Sequence, residues 1–159
     1  IVLFLLTLIQ GKKSKFFEEM LATLSKNFLI FGFVISLAST FGSLFYSEIM
    51  GYTPCVLCWY QRILMYPLPI LFLIAIKKQD KILVRINVIA MSIIGAIIAA
   101  YHYLSQLGVI VASGCDKVGY SASCSEFFSL AYGFITIPFM ALTAFTLLIV
   151  VAVSDYLRD

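Results

Sequence analysis

Charge is scarce in this chain: Asp, Glu, Lys and Arg together make up 12% of its 159 residues, and histidine occurs once. A water-soluble domain carries about 25% charged residues, so the deficit excludes the ordinary soluble classes. A single histidine also excludes a haem held on both axial sides by imidazoles of this chain. The net charge of +3 is not gathered on one face, because Lys and Arg fall toward the ends of apolar runs. That dispersal argues against nucleic acid as a partner and makes the cations topology signals. What fills the chain is apolar, with 62% hydrophobic residues and a mean hydropathy of +1.05. A helix needs about 20 apolar residues to cross the hydrocarbon, so four crossings would leave little for a soluble domain.

Four runs fit that length. No charge interrupts residues 28–46, where Gly32, Ser36, Ser39 and Ser43 line one small face for a neighbouring helix. Gly51 and Pro54 then break the helix. A second span covers 59–76, with Pro67 and Pro69 expected to bend it unless neighbours satisfy the freed carbonyls. The polar cluster KKQDK at 77–81 closes a hairpin into a third span, 86–107, in which Gly95, Ala96, Ala99 and Ala100 form another small face. The stretch 108–128, GVIVASGCDKVGYSASCSEFF, reads as a loop, and a fourth span covers 132–153 with Pro138 near its start. The expected fold is therefore all-α, an integral membrane four-helix bundle. Residues 1–27 form an N-terminal cytoplasmic or interfacial segment, 28–153 the transmembrane domain and 154–159 a cytoplasmic tail. Within the first segment, 16–24 has the spacing of a helix lying on the membrane surface and reads nearly as well as a solvated linker, while IVLFLLTLIQ at 1–10 is too short for a span and has no assigned role.

Lys12, Lys13, Lys15, Lys26, Lys77, Lys78, Lys81, Arg85 and Arg158 all fall on one side of this path, leaving Arg62 and Lys117 on the other. The positive-inside rule makes both termini cytoplasmic. All four cysteines then lie in two loops on the extracytoplasmic face, where disulfides form and persist in bacteria.

Cys55 and Cys58 stand in CVLCWYQR, where one apolar run ends and the next begins, and Cys115 and Cys124 stand in the long loop. Two pairs allow three connectivities, and spacing does not choose among them. A C-x-x-C at a helix start meets unpaired backbone N–H groups and the positive end of the dipole, which favours thiolate. Arg62, four residues past Cys58, shares its helix face and offers a fixed charge to a thiolate or a reduced acceptor. His102, near the outer end of the third span, suits a proton or hydrogen-bond role, or simply a helix contact. Trp59, Tyr60, Tyr66, Tyr101 and Tyr103 read as an interfacial belt, some of which could flank a planar cofactor. No metal is expected: a structural zinc site commonly uses two close knuckles, and the run from Cys115 to Cys124, CDKVGYSASC, is loose for one.

CVLCWYQR, the second cysteine pair and the phrase YGFITIPFMAL closely resemble the DsbB family, especially its short BdbC-like members, over about residues 28–153. The resemblance implies a quinone-dependent protein disulfide oxidoreductase of the bacterial cytoplasmic membrane. Such an enzyme reoxidises a DsbA-like thioredoxin-fold oxidase and passes the electrons to a membrane quinone, ubiquinone or menaquinone. By position it implies that Cys115 forms the mixed disulfide with the partner, that Cys124 links transiently to Cys55, and that Cys58 faces the quinone. Arg62 matches the family's quinone-site arginine, and His102, in YHYLSQL, matches a histidine near that ring. The loop is shorter here than in the best-known proteobacterial members.

Three other readings compete. A relative of vitamin K epoxide reductase would place its loop pair before the C-x-x-C, whereas here the loop pair follows. A reductase conducting electrons outward would place cysteines within the membrane. A noncatalytic module would use the cysteines as structural disulfides or metal ligands that staple the external loops.

Overall fold

The computed structural model describes residues 15–78, 80–110, 124 and 136–158, all helical apart from short connections. Helix α1 (Lys15–Lys26) precedes α2 (Phe28–Leu44), which runs on as a π-helical turn, Phe45–Ile49. Next come α3 (Val56–Met65), α4 (Pro67–Lys78), α5 (Ile82–Gln106) and α6 (Ile137–Tyr156). Four stretches are long and apolar enough to cross a membrane: Phe28–Ile49, Val56–Lys78, Ile82–Gln106 and Ile137–Tyr156. The protein is a multi-pass membrane protein, and Ile30, Phe41, Ile63, Ile70, Ile86 and Ile97 are among the large apolar side chains left exposed on its outside.

The spans agree with the sequence reading in number and differ at their ends. The first passes residue 46 because the π-helical turn carries the helix through Glu48, whose carboxylate is exposed and accepts from Ser47 Oγ at 3.1 Å. Gly51, at φ +69, then turns the chain, a left-handed conformation that glycine adopts without steric penalty. In the second span the prolines divide the helix. Tyr66 N–H closes α3 on the Arg62 carbonyl, and Pro67 opens α4. Pro67 and Pro69 both lie in the first turn of α4, where backbone N–H groups have no intrahelical partner to lose. The last helix continues to Tyr156, so Ser154 and Asp155 are buried helical residues.

Close packing follows the small faces. Helix α5 lies along α6, α2 packs on α4 and α6, and α3 packs on α5. At Gly32 the Phe72 ring occupies the space a Cβ would need, and at Gly95 the Phe145 ring does the same. Each glycine is a hole for an aromatic knob, the arrangement that lets membrane helices approach without a hydrophobic driving force. Phe28 meets Phe72 edge-on at 5.6 Å, and Val88, Ala99, Leu148 and Ala152 complete a core with essentially no exposure. Ser36, Ser39 and Thr40 satisfy their hydroxyls on carbonyls one turn back.

At the end of the bundle away from Cys55, Arg85 Nη1 donates to Asp155 Oδ2 at 3.1 Å, both side chains buried, and the guanidinium lies over the Tyr156 ring. Helix α1 packs against α6, and Arg158 pairs with Glu18 at 3.6 Å.

Candidate active site

Cys55 sits at the junction that Gly51 and Pro54 create. Its backbone is extended (φ −76, ψ 171), which makes it the N-cap of α3, and its sulfur accepts from the Cys58 N–H at 3.4 Å. The two intervening residues complete one helical turn and bring the Cys58 thiol back over Cys55, with the sulfurs 3.1 Å apart. Across the bundle, α5 presents His102, whose Nε2 lies 3.6 Å from the same sulfur. Cys124 packs on Cys55, with Leu57 and Cys58 alongside. The ligating atoms of Cys55, His102 and Cys124 all fall within 4.8 Å of one another. Cys55 and Cys58 are free thiols, while Cys124 is disulfide-bonded.

These contacts set the charge on Cys55. Its pKa falls from an ordinary 9.0 to about 4, chiefly because the Cys58 thiol hydrogen-bonds to it. Burial opposes the shift, and the His102 hydrogen bond assists it. A thiolate at the N-cap also faces the positive end of the α3 dipole. Cys55 is therefore a buried anion, 3% exposed, beside a disulfide sulfur, the arrangement that thiol–disulfide exchange requires.

On the other side of Cys58 an apolar cavity of about 360 Å³ opens between α2, α3 and α6, a size that holds a small planar molecule. Cys58, Gln61, Arg62, Met65 and Tyr66 form one wall, and Met140, Ala141, Ala144 and Phe145 face them from α6. Among the described residues, Arg62 is the one fixed charge on the wall. Its Nε donates to Ser43 Oγ at 3.0 Å and its Nη2 to the Ser43 carbonyl at 3.2 Å. Tyr66 donates to the same hydroxyl at 3.3 Å, and the guanidinium lies 5.5 Å from the Trp59 ring centroid. Among the described residues no carboxylate pairs with Arg62. A cation in an apolar wall, held by neutral groups, retains the capacity to receive an acceptor's developing negative charge. An apolar planar head group bearing carbonyl oxygens fits this donor set.

The structure thus brings together Cys55, Cys58, Cys124 and His102 around one sulfur, and Cys58 and Arg62 on one cavity. His102 is not on the cavity wall; it lies behind Cys55, 2% exposed, with Nδ1 3.3 Å from Gln61 Nε2. Cys115 lies outside the described residues. The sequence reading passed over Gln61 and Ser43. Gln61 stood inside the quoted motif, and an amide in an apolar span is a signal in itself because it must find partners. Ser43 was read only as a small residue. Of the aromatics, Tyr66 lines the cavity and Tyr60 is exposed, while Tyr103 packs on Phe139 at 5.4 Å.

Comparison with known proteins agrees with this geometry. The family model "Disulfide bond formation protein DsbB" matches residues 25–154. The "Disulfide bond formation protein C" of Bacillus subtilis is 46% identical over 123 residues, covering 77% of this chain and 88% of the relative. The "SPbeta prophage-derived disulfide bond formation protein B" of the same organism is 45% identical, covering 77% and 81%. A "Probable disulfide formation protein" of Oceanobacillus iheyensis is 42% identical over 126 residues, covering 79% and 86%. No solved structure matches the chain.

Proposed function

Since the chain belongs to the DsbB family of disulfide bond formation proteins, and so is a membrane thiol:disulfide oxidoreductase, we propose that it carries electrons from a thioredoxin-fold partner to a membrane quinone through two cysteine pairs. The observation that carries this reading is the position of the Cys55–Cys58 pair. One sulfur lies within 4.8 Å of Cys124, and the other lies on the wall of the cavity.

Two electrons and two protons leave the partner's dithiol as its disulfide forms, and Cys115 and Cys124 take them up as thiols. The Cys124 thiolate attacks Cys55 of an oxidised Cys55–Cys58 pair, forming a Cys55–Cys124 bond and releasing Cys58 as a thiolate at the cavity. Cys115 then attacks the Cys124 sulfur and displaces Cys55, restoring the loop disulfide and leaving Cys55 and Cys58 reduced. The electrostatics around Cys55 support this order. A sulfur whose anion is stabilised by the Cys58 thiol and by His102 is a good leaving group, because exchange is faster from a thiol of low pKa.

A bound quinone supplies the two-electron sink. Arg62 holds positive charge where that acceptor's oxygen would gather negative charge, Ser43 and Tyr66 keep the guanidinium in place, and the apolar face of α6 excludes water. A DsbA-type oxidant sits near about −120 mV, and each 30 mV uphill costs about 1.4 kcal/mol, so an external sink keeps the exchange running forward. Both termini are placed on the cytoplasmic side and the cysteines on the extracytoplasmic side of the bacterial cytoplasmic membrane, on the strength of the Lys and Arg distribution.

The test is oxidation of a reduced thioredoxin-fold oxidase by purified protein, with quinone reduction followed at the same time. The reading requires one quinone reduced per disulfide formed. Oxidation that proceeds equally without quinone would refute it.

A further inference from the structure

We propose that reduction of the Cys124 disulfide converts the cluster around Cys55 into a binding site for one thiophilic divalent cation, zinc or cadmium, with Cys55, Cys58, Cys124 and His102 as ligands, and that the bound metal holds the enzyme in its reduced, inactive form. The inhibition rests on the electron path above; the binding does not.

Distances carry the argument. With metal–sulfur bonds of about 2.3 Å and metal–nitrogen bonds of about 2.0–2.1 Å, a tetrahedral ion separates sulfur from nitrogen by roughly 3.5–3.6 Å and sulfur from sulfur by roughly 3.8 Å. Cys55 Sγ and His102 Nε2 are already 3.6 Å apart. The Cys124 sulfur lies within 4.8 Å of both. Cys58 Sγ, at 3.1 Å from Cys55 Sγ, stands outside that three-atom cluster and must shift by about an ångström or more to complete a tetrahedral set. The looseness of the Cys115–Cys124 spacing, which argues against a site of four cysteines, does not apply here. The site takes one cysteine from that pair and its fourth ligand from α5.

Ligand chemistry selects the metal. Three sulfurs and one imidazole are a soft set that favours zinc or cadmium over magnesium or calcium, and among the described residues no carboxylate belongs to the cluster. Cys55, His102 and Cys124 are buried, so the ion would be dry, while Cys58 borders the cavity and gives the ion a way in. Ligation through Nε2 moves the ring hydrogen of His102 to Nδ1, so the Gln61 amide, whose nitrogen lies 3.3 Å from Nδ1, must turn its oxygen to that N–H to support the ligating imidazole. Three thiolates and a divalent ion leave one negative charge, formed beside the Arg62 cation.

The chemistry balances without an added oxidant. A dithiol partner or a phosphine supplies the two electrons that break the Cys124 disulfide. The metal then displaces the remaining thiol protons to solvent, and no electron moves to or from it. While it is bound, none of the three sulfurs is free to exchange.

The experiment uses the full chain in nanodiscs, reduced with a phosphine, freed of reductant under anaerobic conditions and titrated with cadmium. Thiolate-to-cadmium absorption should saturate at one ion per chain in reduced protein and be absent from oxidised protein. His102→Ala should weaken binding at least about tenfold, His102→Cys should restore it, and Cys115→Ser should leave it intact. Equal binding by oxidised protein, or loss of binding in Cys115→Ser with none in His102→Ala, would overturn the site. Zinc should also slow partner oxidation when quinone is limiting. Full turnover by protein shown to hold the metal would overturn the inhibition alone. Binding is read without quinone or partner, so failure of the proposed electron path would not be mistaken for failure of the site.

Discussion

Gln61 Nε2 lies 3.3 Å from His102 Nδ1, and the same imidazole turns Nε2 to within 3.6 Å of the Cys55 sulfur. With the amide donating, Nδ1 is an acceptor and the ring hydrogen sits on Nε2, facing the thiolate. A glutamine on α3 thus sets the tautomer of a histidine on α5, which in turn stabilises an anion at the start of α3. Replacing Gln61 with Leu removes that control. The pH midpoint for alkylation of Cys55 should rise by about one unit, the equivalent of roughly one buried hydrogen bond. Alkylation of reduced protein across a pH series checks this, and an unchanged midpoint would mean that His102 holds its orientation unaided.

Cys55 itself, with its pKa near 4, should be ionised and reactive throughout the neutral range. In reduced, metal-free protein its alkylation should stay near its plateau from pH 8 down to about 5 and decline only below that, since a lowered pKa keeps the thiolate present until acid protonates it. Cys58→Ala removes the principal hydrogen-bond donor, and the decline should move upward toward the ordinary thiol range. Mass-spectrometric detection of the label at each pH gives both curves.

Arg62→Ala should raise the quinone concentration needed for half-maximal turnover by about tenfold or more, with thermal stability largely retained, because among the described residues the side chain pairs with no carboxylate that its loss would leave unpaired. Arg62→Lys keeps the charge but loses the forked contact with Ser43 and should fall between the two. Steady-state kinetics against quinone concentration measure the effect.

The Arg85–Asp155 pair should behave as a structural clamp between α5 and α6. Asp155→Ala removes a carboxylate from a buried cation and should cost about 3–5 kcal/mol, whereas replacing both residues with apolar ones of similar volume should recover most of that loss. Gly95→Ala drives a methyl into the Phe145 ring and should cost about 1–3 kcal/mol. Reversible unfolding in detergent measures both without reference to activity.

Much of this architecture was legible because membrane helices obey few rules. Uncharged length marked the four spans, and the small faces at Gly32 and Gly95 marked where neighbouring helices pack, though not that a phenylalanine ring fills each. CVLCWYQR placed a redox pair at a helix start for the same reason: Gly51 and Pro54 must break the chain before it. Contacts between distant residues were not legible. Arg85 and Asp155, separated by 70 positions, read as independent charges near segment ends. Ser43 shows no sign, one helix earlier, that Arg62 will bind its carbonyl. Helix ends also moved, since a π-helical turn can carry an exposed glutamate past the point where apolar character stops. His102 was legible as a residue near the cysteines, but only the packing of α3 on α5 distinguishes a place behind Cys55 from one on the cavity.

The central claim is the division of labour between Cys55, which exchanges with the loop, and Cys58, which faces the acceptor. Disulfide mapping of Cys58→Ser, incubated with a reduced thioredoxin-fold partner and quinone, tests it most directly. Because no Cys55–Cys58 disulfide can then form, Cys55 joins Cys124 by attacking its sulfur in the loop disulfide and releasing Cys115, and the account predicts that Cys55–Cys124 bond among the products and no quinone reduction. Continued quinone reduction, or mapping that never finds Cys55 joined to Cys124, would contradict it.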